Sequence, residues 1–164
     1  INSGKIDSSH WTQDLHIGGG RIIGEVCHFI DLLSFLSGSR IKSHKSIKMN
    51  SENNDTLSIL LEFDNGSVGS INYFSNGNNS YPKEKLEIFS DGKILLLDNF
   101  KKLTGFGWHR FTKFATWQQD KGQENCIKAF VNAIKLGETP PIDINEIINT
   151  SKICIEIEDS LNGN

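Results

Sequence analysis

Hydrophobic residues recur three or four positions apart between residues 21 and 37, which is the period of one face of an α-helix. Gly38 follows this segment, and glycine is typical of helix C-termini because it readily adopts the left-handed conformation. The pattern therefore predicts a first helix over 21–37, preceded by a polar segment that ends in Gly18-Gly19-Gly20. The apolar positions of this helix are Ile22, Ile23, Val26, Ile30, Leu33 and Leu36.

The middle of the chain has a period of two, which is typical of β-strands. Asp64-Asn65-Gly66 predicts a hairpin turn, because both turn residues of an Asn-Gly pair accept a positive φ. Asp91-Gly92 predicts a second tight turn. Strands joined by such turns form a meander, so the sheet should be largely antiparallel. The predicted strands cover 41–49, 57–63, 68–74, 85–89 and 93–97.

The last part of the chain returns to helical spacing. Apolar residues at i, i+3, i+4 and i+7 starting from Ile127 predict a helix that ends at Gly137. Asp143 with Glu146 resembles a capping box at the start of a final helix. Residues 153–157 also alternate as a strand would, so two interpretations of this segment stay open. The helical one places Ile147, Ile148, Ser151, Cys154, Ile155, Glu158 and Leu161 on one face. Helix, strands and helices together predict the α+β class.

Composition narrows the possible functions. The 164 residues correspond to roughly one domain. The formal net charge of −3 argues against nucleic acid as a partner, because phosphate binding needs a basic surface. No apolar run approaches the ~18–20 residues that span a bilayer, so no membrane association is expected. The chain starts at Ile1 within polar sequence and without an initiator Met, which we interpret as a fragment of a longer protein.

The cysteines are odd in number and widely spaced. No C-x-x-C motif occurs among the three cysteines, and each of them lies in an apolar stretch. They are Cys27, Cys126 and Cys154. This pattern predicts reduced, buried thiols and a cytoplasmic location.

His28 is the main candidate for chemistry. Because a helical residue advances by about 100°, Arg21, Glu25 and His28 share one stripe of the predicted helix. An imidazole with a carboxylate one turn away suits general acid–base catalysis. A surface or capping histidine is the alternative interpretation. Asp31, one turn further on, could instead form an ion pair with Arg21 or Lys42.

A polar cluster precedes the glycines and consists of His10, Trp11, Gln13 and Asp14. Trp11 could form a platform for the face of a sugar, or it could cover one end of the core. His10, His16, Glu25 and His28 lack the H-x-x-x-H or H-E-x-x-H spacing of a zinc site, so no metal is expected.

The glycine triplet admits two interpretations. It could cradle a phosphate, or it could allow a close backbone approach at the start of the helix. The second is favoured, because the chain lacks both G-x-G-x-x-G and the G-K-[ST] of a phosphate loop. A doubly wound cofactor domain is therefore not expected within these residues.

Several motifs occur in the order found in one protein family. The triplet Gly18–Gly20 is followed by the helix segment 25–33, which carries His28 and Asp31, and by Leu36-Ser37-Gly38. The chain resembles the C-terminal domain of the glucose–fructose oxidoreductase / inositol dehydrogenase / rhizopine catabolism (Gfo/Idh/MocA) superfamily, and is most similar to a branch associated with bacterial polysaccharide synthesis. The other matching segments are 64–66, 81–92, 98–100, 120–122, 130–137, 141–142 and 160–161.

The resemblance implies a two-domain enzyme whose N-terminal Rossmann domain binds NAD or NADP and is absent from this chain. It implies that residues 1–164 form a single substrate-binding and oligomerisation domain: an open, mostly antiparallel sheet with helices on one face. The other face commonly makes a homo-oligomer interface. Substrates in the family are typically sugars, nucleotide sugars or polyols.

The resemblance also assigns residues. His28 matches the family histidine that handles the proton of the substrate hydroxyl, and Trp11, Gln13 and Asp14 match a stretch that lines the substrate pocket. We add His10 and Arg21 as candidate substrate-binding residues. Many members place an aspartate four residues before the histidine, where this chain has Gly24, so Glu25 could take over its role.

The sequence therefore predicts the substrate domain of an NAD(P)-dependent sugar oxidoreductase that is inactive by itself. The alternative is a non-catalytic carbohydrate-binding or assembly module of the same fold, for which the missing aspartate at Gly24 is the supporting feature.

Overall fold

The computed structural model describes residues 1–14, 17–51 and 55–163. The chain divides into two compact units. One unit contains Ser3–Gly77 and Ile142–Asn164, and the other contains Ile1–Asn2 and Asn78–Pro141. The expectation of a single domain over 1–164 stays a prediction.

The described elements agree with the predicted order of helix, strands and helices. A short 3₁₀ helix covers Trp11–Gln13 and a π-helix covers Ile22–Val26. The α-helices are α1 (Cys27–Ser37), α2 (Gln123–Leu136) and α3 (Ile144–Asn162). The strands are β1 (Ile41–Lys48), β2 (Leu57–Phe63), β3 (Val68–Tyr73), β4 (Lys85–Ser90), β5 (Lys93–Asp98), β6 (Lys102–Phe106) and β7 (Lys113–Ala115).

The α+β class is confirmed. In the described residues, every strand pairing is antiparallel. The hydrogen-bonded strands form two sheets, β1-β2-β3 in one unit and β4-β5-β6-β7 in the other, where the sequence predicted one open sheet.

The first predicted helix begins with a π-helical turn. The backbone N–H of Cys27 donates to the carbonyl of Ile22, a bond five residues back along the chain. Because this turn is wider than an α-turn, the apolar stripe changes phase: Ile22 and Val26 are buried, whereas Ile23 is 43% exposed. The predicted end is correct, since Gly38 adopts the left-handed conformation with φ of 61°.

The hairpin between β2 and β3 differs in one detail from the predicted turn. Gly66 has φ of 83°, but Asn65 is not among the residues with positive φ. The Asn65 side chain instead accepts a hydrogen bond from the N–H of Ser67 at 3.0 Å and donates to the carbonyl of Ser37 at 2.9 Å. The turn is thereby tied to the C-terminal end of α1.

The core of the unit that contains the β1-β2-β3 sheet lies between that sheet and the helices α1 and α3. Alternate residues of β2 point into it, as the period of two predicted. Helix α3 also contacts β1 through polar pairs: Ser46 with Ser160 at 3.1 Å, and Lys48 with Asn162 at 3.3 Å. The most deeply buried side chains are Val26, Ile30, Ile59, Leu61, Tyr73 and Ile157.

The final segment is helical throughout, which settles the open choice between helix and strand. Asp143 caps its start by accepting a hydrogen bond from the N–H of Asn145 at 2.6 Å. The buried face differs from the predicted one. Cys154 and Ile157 are buried, whereas Ile147, Ile148 and Ile155 are each about half exposed. The contacts of α3 with β1 and α1 select this face, and spacing alone could not.

The second unit contains two strands that the sequence did not predict, β6 and β7. Strand β6 includes Gly105, and an added Cβ there would lie 2.6 Å from the ring of Phe111 and 3.1 Å from that of Trp108. Glycine therefore lets aromatic rings lie directly on the strand. A buried Glu84 accepts hydrogen bonds from Lys121 at 2.5 Å and Gln119 at 3.3 Å.

The three cysteines are free, but they are not all buried. Cys154 is 2% exposed, and burial raises its pKa to about 12. Burial also raises the pKa of the Cys27 thiol. Cys126 is exposed on α2, which corrects the expectation that each apolar stretch hides its cysteine. Over the described ranges, no helix has both the length and the apolar character needed to cross a membrane.

Two isoleucines of α3 provide a matched test of its packing. Ile157 is fully buried and Ile155 is 51% exposed. Ile157→Ala should lower the free energy of unfolding by about 2–5 kcal/mol because it opens a cavity. Ile155→Ala should cost less than about 1 kcal/mol. Urea denaturation of the two variants measures both values, and equal losses would contradict the assigned face.

Candidate functional site

The glycine triplet brings the loop before it against the start of the first helix. An added Cβ at Gly18 would lie 2.6 Å from the carbonyl oxygen of Trp11 and 2.7 Å from Cα of Thr12. Gly18 also donates its N–H to the carbonyl of Asp14 at 2.7 Å. The structure therefore shows the close backbone approach that the sequence favoured over a phosphate loop.

The residues of the polar cluster have different environments. Trp11 is 60% exposed, with its ring centroid 5.8 Å from that of His10. His10 caps the 3₁₀ helix, since its Nδ1 accepts from the N–H of Thr12 at 3.4 Å. Asp14 accepts from the N–H of Ile17 at 3.2 Å. Trp11 thus offers an open aromatic surface, while His10 and Asp14 also hold the loop's own backbone.

Gln13 connects the same loop to a buried carboxylate. Its amide donates to Asp55 at 3.1 Å, and Asp55 is only 4% exposed. Ser75 donates to the other oxygen of Asp55 at 2.5 Å, and the hydroxyls of Ser75 and Thr56 are 2.9 Å apart. Because a buried carboxylate needs hydrogen-bond donors, Gln13 has a structural partner as well as a predicted role in substrate binding.

Arg21 and Glu25 do come together, and a third residue joins them. Nη2 of Arg21 donates to Oε2 of Glu25 at 2.5 Å, and the hydroxyl of Tyr73 donates to the same oxygen at 2.5 Å. Arg21 also donates to the Tyr73 oxygen. The side chains of Arg21 and Glu25 are 9% and 18% exposed. Burial, followed by the Glu25 carboxylate, raises the pKa of Tyr73 well above its ordinary value, so the hydroxyl keeps its proton.

His28 lies in the first turn of α1 and is exposed to solvent. The predicted partner Glu25 uses its carboxylate for Arg21 and Tyr73. Asp31 accepts a hydrogen bond from Thr150 at 3.3 Å, and Lys42 pairs with Glu62 at 2.7 Å, so neither proposed ion pair of Asp31 is the observed arrangement.

The described residues hold no group of three or more His, Cys, Asp and Glu side chains placed to bind a metal ion. His16, one member of the considered zinc set, lies outside the described residues. The strand pairings of the described residues are all antiparallel, so the parallel βαβ unit of a doubly wound dinucleotide-binding domain is not among them.

Two residues of this region were not predicted, Tyr73 and Asp55. The strand pattern marks Tyr73 only as part of β3, and Asp55 lies two residues before β2. The available signal is general: a buried tyrosine hydroxyl or carboxylate needs a partner, but the sequence does not say which.

The comparisons with known proteins define the class. The model of the GFO/IDH/MocA C-terminal domain matches residues 2–95, which is more than half of the chain. The chain belongs to the GFO/IDH/MocA family, through its C-terminal domain. No curated protein matches the sequence.

Solved structures share the fold. A UDP-N-acetylglucosamine 3-dehydrogenase from Acidithiobacillus ferrooxidans superposes with a TM-score of 0.77 at 14% identity, over 98% of this chain and 51% of that one. An MviM dehydrogenase from Clostridium difficile gives 0.74 at 21% identity, over 86% and 48%. A levoglucosan dehydrogenase in its apo form gives 0.76 at 16% identity, over 99% and 53%. The chain therefore spans about half the length of these dehydrogenases.

The close approach at Gly18 can be tested by adding one methyl group. Gly18→Ala should lower the free energy of unfolding by about 1–3 kcal/mol, because the new Cβ overlaps the backbone of Trp11 and Thr12. Gly24→Ala is the control, since its Cβ would meet only the Gly18 oxygen at 3.7 Å. Thermal denaturation compares them. If Gly24→Ala loses as much stability as Gly18→Ala, the result would contradict the close backbone contact at Gly18.

Proposed function

We propose that this chain is the substrate-binding domain of an NAD(P)-dependent oxidoreductase that acts on a hydroxyl of a sugar, nucleotide sugar or polyol. Family membership supports it, together with the dehydrogenases of similar fold that are about twice as long. The dinucleotide would be held mainly by a separate domain, because the described strands form no parallel βαβ unit. Bacterial polysaccharide synthesis, in the cytoplasm, is the proposed setting.

His28 is the proposed proton carrier of the reaction. Oxidising a carbinol requires a base for the O–H proton, and an imidazole near neutrality suits that task. The exposed position of His28 at the start of α1 leaves its ring accessible to a substrate. Glu25 stays a predicted catalytic partner, although its observed hydrogen bonds are with Arg21 and Tyr73.

Trp11 is the proposed sugar platform, because it is 60% exposed and its backbone carbonyl lies against Gly18. Aromatic side chains offer a flat apolar surface to ligands. His10, Gln13, Asp14 and Arg21 stay candidates for the same pocket. Gln13 and Arg21 already have protein partners, which supports a role in shaping that pocket.

The alternative is a non-catalytic carbohydrate-binding or assembly module. The feature in its favour is Gly24, which stands four residues before His28, where the family resemblance implies an aspartate in many members. Under this alternative His28 would be an ordinary helix residue.

Histidine substitution separates the two functions. In the enzyme that joins this chain to its dinucleotide-binding domain, His28→Gln should lower turnover by about 10²–10⁴-fold. His109→Gln, an exposed histidine of the other unit, is the control. A near-normal rate for His28→Gln would favour the assembly module.

Titration with NADH and NADPH should precede the turnover measurements. The longer protein should bind one of the two dinucleotides, and the 164-residue chain should bind neither.

We also propose that the chain forms a homo-oligomer through the outer face of the β1-β2-β3 sheet. Ile47, Leu60 and Val68 point away from the helices and are 75%, 58% and 81% exposed. Exposed apolar side chains on one sheet face are typical of an interface between copies.

Leu60→Asp should break this association, because it would bury an unpaired charge between the sheets. Light scattering over a range of concentrations should give a multiple of 18.4 kDa for the natural chain and the monomer mass for the variant. Ile155→Asp on α3 is the control. A natural chain that stays monomeric at every concentration would contradict the interface.

A further inference from the structure

The π-helical turn determines the direction in which His28 projects. Such a turn contains one more residue than the α-turn it replaces, and π-turns inside helices are frequent at functional sites. Because each helical residue advances by about 100°, the extra residue rotates all later side chains relative to those before it. His28 is the second residue of α1, directly after this turn. Anything that stabilises the π-turn therefore also sets the orientation of His28.

Three side chains hold this turn to the sheet. Arg21 is its N-cap, Glu25 lies inside it, and Tyr73 is the last residue of β3. One oxygen of Glu25 accepts from both Arg21 and Tyr73 at 2.5 Å. The guanidinium of Arg21 also lies 5.4 Å from the centre of the Tyr73 ring. Each of the three side chains therefore contacts the other two.

The apolar contacts of the turn do not by themselves specify its geometry. Ile22 and Val26 are buried, but apolar residues four apart share a face in an ordinary α-helix as well. The Arg21–Glu25 pair is also four residues apart and suits either helix type. The hydrogen bond from Tyr73 is more selective, because it requires Glu25 to reach a fixed residue of the sheet. Tyr73 is itself fully buried, so its hydroxyl has a fixed place.

We propose that Arg21, Glu25 and Tyr73 form a positioning clamp that keeps the π-turn in register and so directs His28 toward the substrate. The direction of His28 matters only if that residue acts on a substrate, and in this respect the inference rests on the proposed function. The three are positioning residues, and Tyr73 has no role assigned by the family resemblance.

Tyr73→Phe tests the clamp, since it removes one hydroxyl and keeps the buried ring. Native-state hydrogen exchange by NMR should show the amides of Cys27 and His28 exchanging at least about tenfold faster, because the turn opens locally. The amides of Ile59 and Ile71 in the sheet should be unchanged. The imidazole signals of His28 should shift as well. Tyr81→Phe, an exposed tyrosine of the other unit, should change none of these.

A uniform acceleration at all amides would mean that Tyr73 serves only global stability, and unchanged exchange at Cys27 would mean that no clamp exists. Either result would overturn the proposal. Glu25→Gln provides a second variant with the same expected local pattern if Tyr73→Phe does not fold. If neither folds, the three residues are required for folding and the positioning role is rejected.

These measurements need no substrate or cofactor. A clamp that passes this test while His28→Gln keeps full turnover would refute the proposed function alone. A clamp that fails while His28→Gln loses turnover would refute only the positioning role.

Discussion

One carboxylate oxygen, Oε2 of Glu25, joins the first helix to the sheet. It pairs with an arginine whose side chain is about nine-tenths buried and with a tyrosine that is fully buried. Removing one partner of a buried ion pair leaves the other charge without compensation, at a cost of about 3–5 kcal/mol. Loss of this carboxylate would therefore weaken the connection between the π-turn and the end of β3.

The loop before the first helix is attached by other contacts. Because Gly18 has no Cβ, the chain at that residue can approach the backbone of Trp11 and Thr12. The side chain of Gln13 attaches the loop to the buried Asp55. These contacts hold the backbone of the loop, while the Trp11 side chain is 60% exposed. A largely exposed aromatic ring on a loop whose backbone is held suits the proposed sugar platform.

Sequence patterns predicted most of the elements, because burial repeats with the period of each element. Strand β2 alternates as expected, and helix α1 ends at Gly38. The π-turn was not predictable, since apolar residues at 22 and 26 suit either helix type. Strand β6 was missed because it depends on Gly105 meeting two aromatic rings from a later loop. Tyr73 and Asp55 were missed because their partners are distant in sequence and only tertiary structure selects them.

The hydrogen bonds of Glu25 also bear on the position of its carboxylate. It accepts from Arg21 and Tyr73 at 2.5 Å, and the Glu25 side chain is 18% exposed, so these contacts restrict where the carboxylate lies. His28 is exposed in the first turn of α1, directly after this region. Under the proposed function the contacts of Glu25 fix geometry, and the exposed imidazole of His28 is the group that meets the substrate. In the proposed clamp, the backbone of the π-turn orients His28 although Gly24 stands four residues before it.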